Sequence, residues 1–110
     1  ADTILLRDCF SANAVLHTIK HDKDDIKVME GKIADFIAFV GKETVGAADE
    51  QIVVETLKTD GSLAIVWTPY QFFYKGKFSH CGVNSIQLVR LKAGWKIQYI
   101  IDTRRREACQ

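Results

Sequence analysis

One proline, one methionine and three cysteines are all this 110-residue chain holds of those residue types. The cysteines, Cys9, Cys81 and Cys109, are far apart, odd in number and form no C-x-x-C pair. That leaves no zinc spacing and no disulfide framework to read. Their distribution is that of a reducing compartment, so a cytoplasmic location is expected. No Gly-rich phosphate loop, nucleophile elbow or metal-ligand spacing occurs, so neither a cofactor nor a metal is expected. The polar run His21-Asp22-Lys23-Asp24-Asp25 lacks the glycine and closing glutamate of a calcium loop, and reads as a solvated turn.

Charge of one sign is also missing. Fifteen Lys and Arg stand against fourteen Asp and Glu, a net charge of +1. Such a balance sets up no field that would gather nucleic acid. The one basic cluster, Arg104-Arg105-Arg106, reads as a solvated tail. No apolar run approaches the ~20 residues of a membrane helix, so no membrane partner is expected. The N-terminus lacks the basic-then-apolar layout of a signal peptide.

What is present is an ordinary globular composition, 47% hydrophobic and 26% charged. A chain of this length buries roughly two-thirds of its unfolded surface. Residues 1–110 therefore read as one domain. Leu5, Leu6, Cys9 and Phe10 share a side at helical spacing, as at the end of an amphipathic helix whose first turns are missing. Ser11–Asn13 reads as a turn, and 15–19 and 26–29 as a short hairpin. Ile33, Phe36, Ile37 and Val40 form the stripe of a packed helix, with Gly41 as its stop. Residues 42–50 read as a loop containing Gly46.

From Gln51 the pattern turns to strands. Ile52–Leu57 is one, and Thr59-Asp60-Gly61-Ser62 is a hairpin turn. A long meander follows over Leu63–Tyr74, Phe78–Leu91 and Trp95–Asp102, with Pro69 and Gly82 expected at bulges. Leu63, Ile65 and Trp67 point one way, and Ala64, Val66, Tyr70 and Phe72 the other. An antiparallel sheet with one wet face alternates apolar and polar residues. This one does not, so both faces are expected to be covered. Helices cover one. A second copy in a two-fold dimer is expected on the other.

The strings W-T-P-Y-Q-F-F, G-K-F-S-H-C-G-V-N-S-I-Q-L-V and G-W-K-I-Q-Y-I-I-D-T-R resemble the NTF2-like superfamily, and within it the SnoaL-like and lumazine-binding branch. The likeness spans nearly the whole chain and departs from the pattern at the N-terminal helix. It implies an α+β fold, a curved antiparallel sheet wrapped around N-terminal helices as a cystatin-like cone. It also implies an internal cavity and, usually, a dimer. The superfamily holds enzymes and non-catalytic binders alike, so the fold leaves function open.

Candidate site residues sit on the meander and its neighbour strand. His80 with Asp102 would make an acid–base pair if a bulge near Gly82 brought them opposite. The bland alternative is a packed histidine and an aspartate paired with Arg104. Trp67, Tyr70, Phe72, His80 and His17 are the candidate ligand-binding set, with core or interface packing as the alternative. Trp95 reads as a packing anchor. Cys81 and His80 are adjacent on a strand and face opposite ways, which disfavours a nucleophilic pair. Three functions fit: a binder of a small apolar or aromatic molecule, a lyase or isomerase using His80 and Asp102, and an adaptor whose cavity is filled by its own side chains.

Overall fold

A computed structural model describes residues 3–42 and 47–109. Two short helices precede and interrupt a seven-stranded open sheet. The elements are α1 (Thr3–Asp8), β1 (Phe10–Asp22), β2 (Asp25–Gly31), α2 (Ile33–Lys42), β3 (Ala48–Ile52), β4 (Thr56–Asp60), β5 (Leu63–Tyr74), β6 (Lys77–Leu91) and β7 (Gly94–Thr103). The sheet order is β2-β1-β7-β6-β5-β3, with β4 pairing the other half of the same β5 edge. All pairings are antiparallel except β1 with β7. The expected α+β class and the meander boundaries hold to within a residue or two.

Several local expectations are corrected. Ser11–Asn13 is not a turn. It lies inside β1, where the register against β7 slips between Phe10 and Val15. Gly41 does not stop α2, which continues to Lys42. The stretch read as a loop over 42–50 already holds the start of β3, while residues 43–46, Gly46 among them, lie outside the described residues. The single strand expected over 52–57 is two, broken at 53–55.

Pro69 gives no bulge against β6, where it pairs in register with Val83. Its carbonyl accepts the Val53 amide at 3.0 Å, so the N–H it lacks would point to that same edge. The missing donor therefore falls where β5 changes partner from β3 to β4. The bulges lie elsewhere, at Ser79 on β6 and Gln98 on β7. Gly82 also pairs in register, with Tyr70, and has a different reason to be glycine. A Cβ there would stand 2.0 Å from the Thr103 carbonyl oxygen.

The two sheet faces follow from the register. On the inner face Phe10 pairs with Ile97, and its ring meets Phe36 of α2 edge-on at 6.4 Å. This places α2 over the side that also carries Leu88 and Ala64. Ile37 of α2 and Ala64 are buried there. Complete burial of an isoleucine contributes about 1.5–3 kcal/mol. At the end of α1, Lys96 binds the Asp8 carbonyl oxygen at 2.5 Å and its carboxylate at 3.3 Å. A cation there complements the helix dipole.

The cysteines also need correction. Cys81 and Cys109 form a disulfide with a Cα–Cα distance of 6.0 Å, and Cys9 alone is free. Their wide sequence separation hides the pairing, because the tail after β7 folds back alongside β6. The backbone of Arg105 exchanges two 2.8 Å hydrogen bonds with Cys81. Among the described residues, no helix is long and apolar enough to cross a membrane.

Candidate functional site

Side chains two apart on a strand share a face, and directly paired residues share it across strands. One row therefore runs Thr68, Asn84, Asp102 and Thr18 across β5, β6, β7 and β1. The next row holds Tyr70 and Gly82. The Cys81–Arg105 bridge continues the β6–β7 register, so Arg104 stands opposite Gly82. A third row pairs Phe72 with His80. The three rows gather a polar group on the inner face, where Glu50 of β3 lies beside Phe72 and accepts from the Asn84 amide at 3.4 Å.

Asp102 is the centre of this group and is only 9% exposed. The Thr18 hydroxyl donates to its Oδ1 at 2.7 Å and the Tyr70 hydroxyl to its Oδ2 at 3.1 Å. Arg104 Nε approaches Oδ2 at 3.4 Å. Tyr70 also lies within 2.7 Å of the Thr103 carbonyl. A buried carboxylate is costly unless its lone pairs are met, and here three groups meet them. Burial first, then the neighbouring Asp102 charge and hydrogen bond, push the Tyr70 hydroxyl far above the ordinary tyrosine pKa. Tyr70 is a fixed neutral donor. Beside it, Thr68 is 2% exposed and its hydroxyl oxygen has no hydrogen-bond partner among the described residues.

His80 forms the rim. Its ring stands edge-on to Tyr70 at 5.7 Å and tilted against Phe72 at 5.2 Å. Nδ1 is 3.0 Å from the Ser79 hydroxyl, and Nε2 has no hydrogen-bond partner among the described residues. Desolvation, then the Arg104 charge, lower its pKa below the usual histidine value, with Asp102 opposing and Arg106 adding to the effect. Neutral imidazole is thus favoured at neutral pH.

The geometry separates the residues expected to act together. His80 and Asp102 share the inner face but are not hydrogen-bonded. Asn84, not His80, pairs with Asp102, because β6 is in register through Gly82. Tyr70 stands where the dyad would need direct contact. Of the five candidate ligand residues, Tyr70, Phe72 and His80 gather on the inner face. Trp67 and His17 lie on the outer one. His17 Nδ1 is 2.9 Å from the Tyr99 hydroxyl and the rings meet edge-on at 5.4 Å, which accounts for that histidine structurally. Trp95 is half-exposed, with the Arg90 guanidinium 5.7 Å from its ring centre. Thr18, Thr68 and Asn84 carry no motif. Only the cross-strand register reveals them.

The expected meander wall is not the wall of the open cleft. That cleft, about 460 Å³, lies between α1, the irregular start of β1 and the β2–α2 junction. Phe10, Ala14, Ile33 and Ile37 line it, with Arg7 and Lys32 among its polar residues. Among the described residues, no cluster of His, Cys, Asp and Glu is arranged to hold a metal ion.

No protein-family model matches the chain, and no curated protein matches it. Solved structures do. An NTF2-like protein of unknown function from Shewanella baltica superposes with a TM-score of 0.67 at 14% identity, over 94% of this chain and 78% of its own. A protein of unknown function with a cystatin-like fold from Nostoc punctiforme gives 0.70 at 8% identity, over 98% and 79%. An NTF2-like protein with a cystatin-like fold from Novosphingobium aromaticivorans gives 0.66 at 14% identity, over 97% and 71%. At such identities the likeness is one of fold.

Proposed function

We propose that this chain, which has the NTF2-like, cystatin-like fold, binds a small, largely apolar or aromatic molecule on its inner face, against Phe72, His80 and Asn84. The observation that carries this reading is the His80 ring. It is half-buried and flanked by two aromatic rings, and its Nε2 has no hydrogen-bond partner among the described residues. Beneath it the Asp102–Tyr70–Thr18 network is closed and gives the rim a rigid floor. Ligand sites of this kind pair apolar walls with a few oriented polar groups. The 460 Å³ cleft offers a weaker case, since its polar residues Arg7, Glu30 and Lys32 are exposed.

A screen of aromatic, steroid-like and pterin-like compounds by thermal shift, followed by amide chemical-shift mapping, tests the reading. The expected result is a hit whose shifts centre on Phe72, His80 and Asn84 and spare His17 and Tyr99. Shifts centred on Phe10 and Ile33 instead would move the site to the cleft. With no hit, the adaptor reading gains.

A second reading, acid–base catalysis of the lyase or isomerase kind, is favoured by the depressed His80 pKa, which keeps Nε2 available as a base. Asp102 then acts through Tyr70, not on the imidazole. Turnover lost in His80→Ala with ligand binding retained would establish it.

A second copy of the chain is the partner proposed for the outer face. Leu63, Ile65 and Trp67 are 47%, 41% and 45% exposed in one stripe of β5, and contiguous exposed apolar surface marks an interface. The cytoplasmic assignment rested on unpaired cysteines. The Cys81–Cys109 disulfide favours an oxidising compartment instead.

A further inference from the structure

We propose that the Cys81–Cys109 disulfide is a redox-operated latch: it holds the tail after β7 in register with β6 and so fixes Arg104 beside Asp102 and His80. The inference concerns regulation of the inner-face site and in that respect rests on the binding reading above. Its first readouts need no ligand.

The tail has little else to hold it. Arg104 through Ala108 are exposed. Among the described residues, its ties to the sheet beyond the disulfide are the two Cys81–Arg105 backbone hydrogen bonds and the Arg104–Asp102 contact. Ordering an exposed segment costs backbone entropy at each residue, which so few bonds offset poorly. Ala108 adds to the cost with a left-handed φ of 57°, uncommon for a residue with a Cβ. The segment before it is anchored differently. Thr103 packs its carbonyl against Gly82, and its hydroxyl accepts the Val83 amide at 3.0 Å. Release of the tail would therefore begin at Arg104, the residue that reaches the site.

The chemistry is thiol–disulfide exchange. Cys81 is 2% exposed and Cys109 half-buried, so a dithiol reductant attacks the Cys109 sulfur. The S–S bond breaks, Cys81 leaves as thiolate and takes a proton, and a mixed disulfide forms on Cys109. The reductant's second thiol displaces Cys109, leaving two protein thiols and one oxidised reductant. Cys81 points to the outer face, so its thiol does not enter the site. What changes inside is charge. Asp102 from β7 and Arg104 and Arg106 from the tail act on His80 by charge, with the Tyr70 ring of β5 against it and Glu50 of β3 in the same row beyond Phe72. When the tail leaves, both guanidinium groups retreat and some desolvation is relieved. Each change moves the His80 pKa up.

The test compares the oxidised chain, the chain reduced with dithiothreitol, and the Cys109→Ser variant. A mass two hydrogens below that of the reduced chain establishes the disulfide. Three free thiols in the unreduced protein overturn the proposal. In the reduced and variant chains the Arg105 amide is expected to exchange about tenfold faster or more, as a locally opened segment does, while the β6–β7 amides keep their protection. The His80 imidazole, followed by NMR titration, is expected to titrate at higher pH. In Arg104→Gln the oxidised chain should already show part of that rise, and reduction should add less. Unchanged Arg105 exchange, or a reduction effect on His80 equally large in Arg104→Gln, overturns the latch. Failure of the ligand screen leaves these readouts intact, so the two readings fail separately.

Discussion

The two faces of β5 invert the usual rule. The inner face buries Thr68 and Tyr70, and next to them Asp102 on β7. The outer face leaves Leu63, Ile65 and Trp67 more than two-fifths exposed. Residue type alone would assign the faces the other way round. The difference lies in what each face has to bond with. Inside, the polar atoms of Tyr70, Asp102 and Thr18 satisfy one another, so their burial is tolerated. Outside, the apolar stripe makes no such closed set and needs cover from elsewhere. The Asp102 network on one face is self-sufficient, and the apolar stripe on the other is not.

The sharpest way to break this arrangement is Gly82→Ala. The added methyl would meet the Thr103 carbonyl, a backbone atom that cannot step aside without moving the end of β7. Overpacking of this kind costs about 3 kcal/mol or more when backbone must shift. Urea denaturation should show that loss. Because Thr103 also accepts from Tyr70 and is followed by Arg104, the inner network should loosen with it. A near-neutral Gly82→Ala would mean the close approach does not exist in solution.

Asp102→Ala should come next, at roughly 1–3 kcal/mol, since it strands the Thr18 hydroxyl and leaves Tyr70 only its bond to the Thr103 carbonyl. Thr68→Val makes the comparison informative. Thr68 lies in the same row and is also buried, but its hydroxyl has no partner among the described residues. Its loss should be neutral or stabilising by up to about 1 kcal/mol. If both variants destabilise alike, the row is a single bonded unit that includes Thr68.

Trp67→Glu probes the other face. Its effect on the stability of an isolated chain should stay within about 0.5 kcal/mol, as for other exposed positions. Its effect on assembly should be large, turning a dimer into a monomer in sedimentation velocity. A dimer that survives Trp67→Glu would place the interface elsewhere and leave the exposed stripe without its proposed cover.

The meander was legible in the sequence because its signals are local: β-branched and aromatic runs separated by Lys-Gly, Lys-Ala-Gly and Asp-Gly turns. The face assignment of Leu63, Ile65 and Trp67 was legible too, by parity along the strand. What parity along one strand could not supply was register between strands. One misplaced bulge shifts every cross-strand partner, and the bulges are at Ser79 and Gln98, which carry no turn chemistry. The His80–Asp102 pair depended on a bulge near Gly82, and Gly82 pairs in register with Tyr70. The Cys81–Cys109 bond was hidden for a related reason. It depends on a tail that continues the β7 register past Thr103, and an exposed Arg-rich segment gives no strand signal.

The smallest expected effect is also the most selective for the inner face. The folded chain holds the His80 pKa below the ordinary value near 6.5. Above that value imidazole is neutral in both the folded and unfolded chains, and His80 contributes no pH dependence. As pH falls through it, the unfolded chain takes up a proton that the folded chain refuses. The unfolded state then binds more protons, so stability declines with acidification until the folded pKa is reached. Replacement by Phe, which keeps the ring packing against Tyr70 and Phe72, should flatten this part of the stability–pH curve and leave the rest unchanged. The same substitution at His17, on the outer face, tests whether the response belongs to the site. If His17→Phe flattens the curve and His80→Phe does not, the acid-sensitive histidine lies on the outer face, and the inner rim loses its claim to a neutral imidazole.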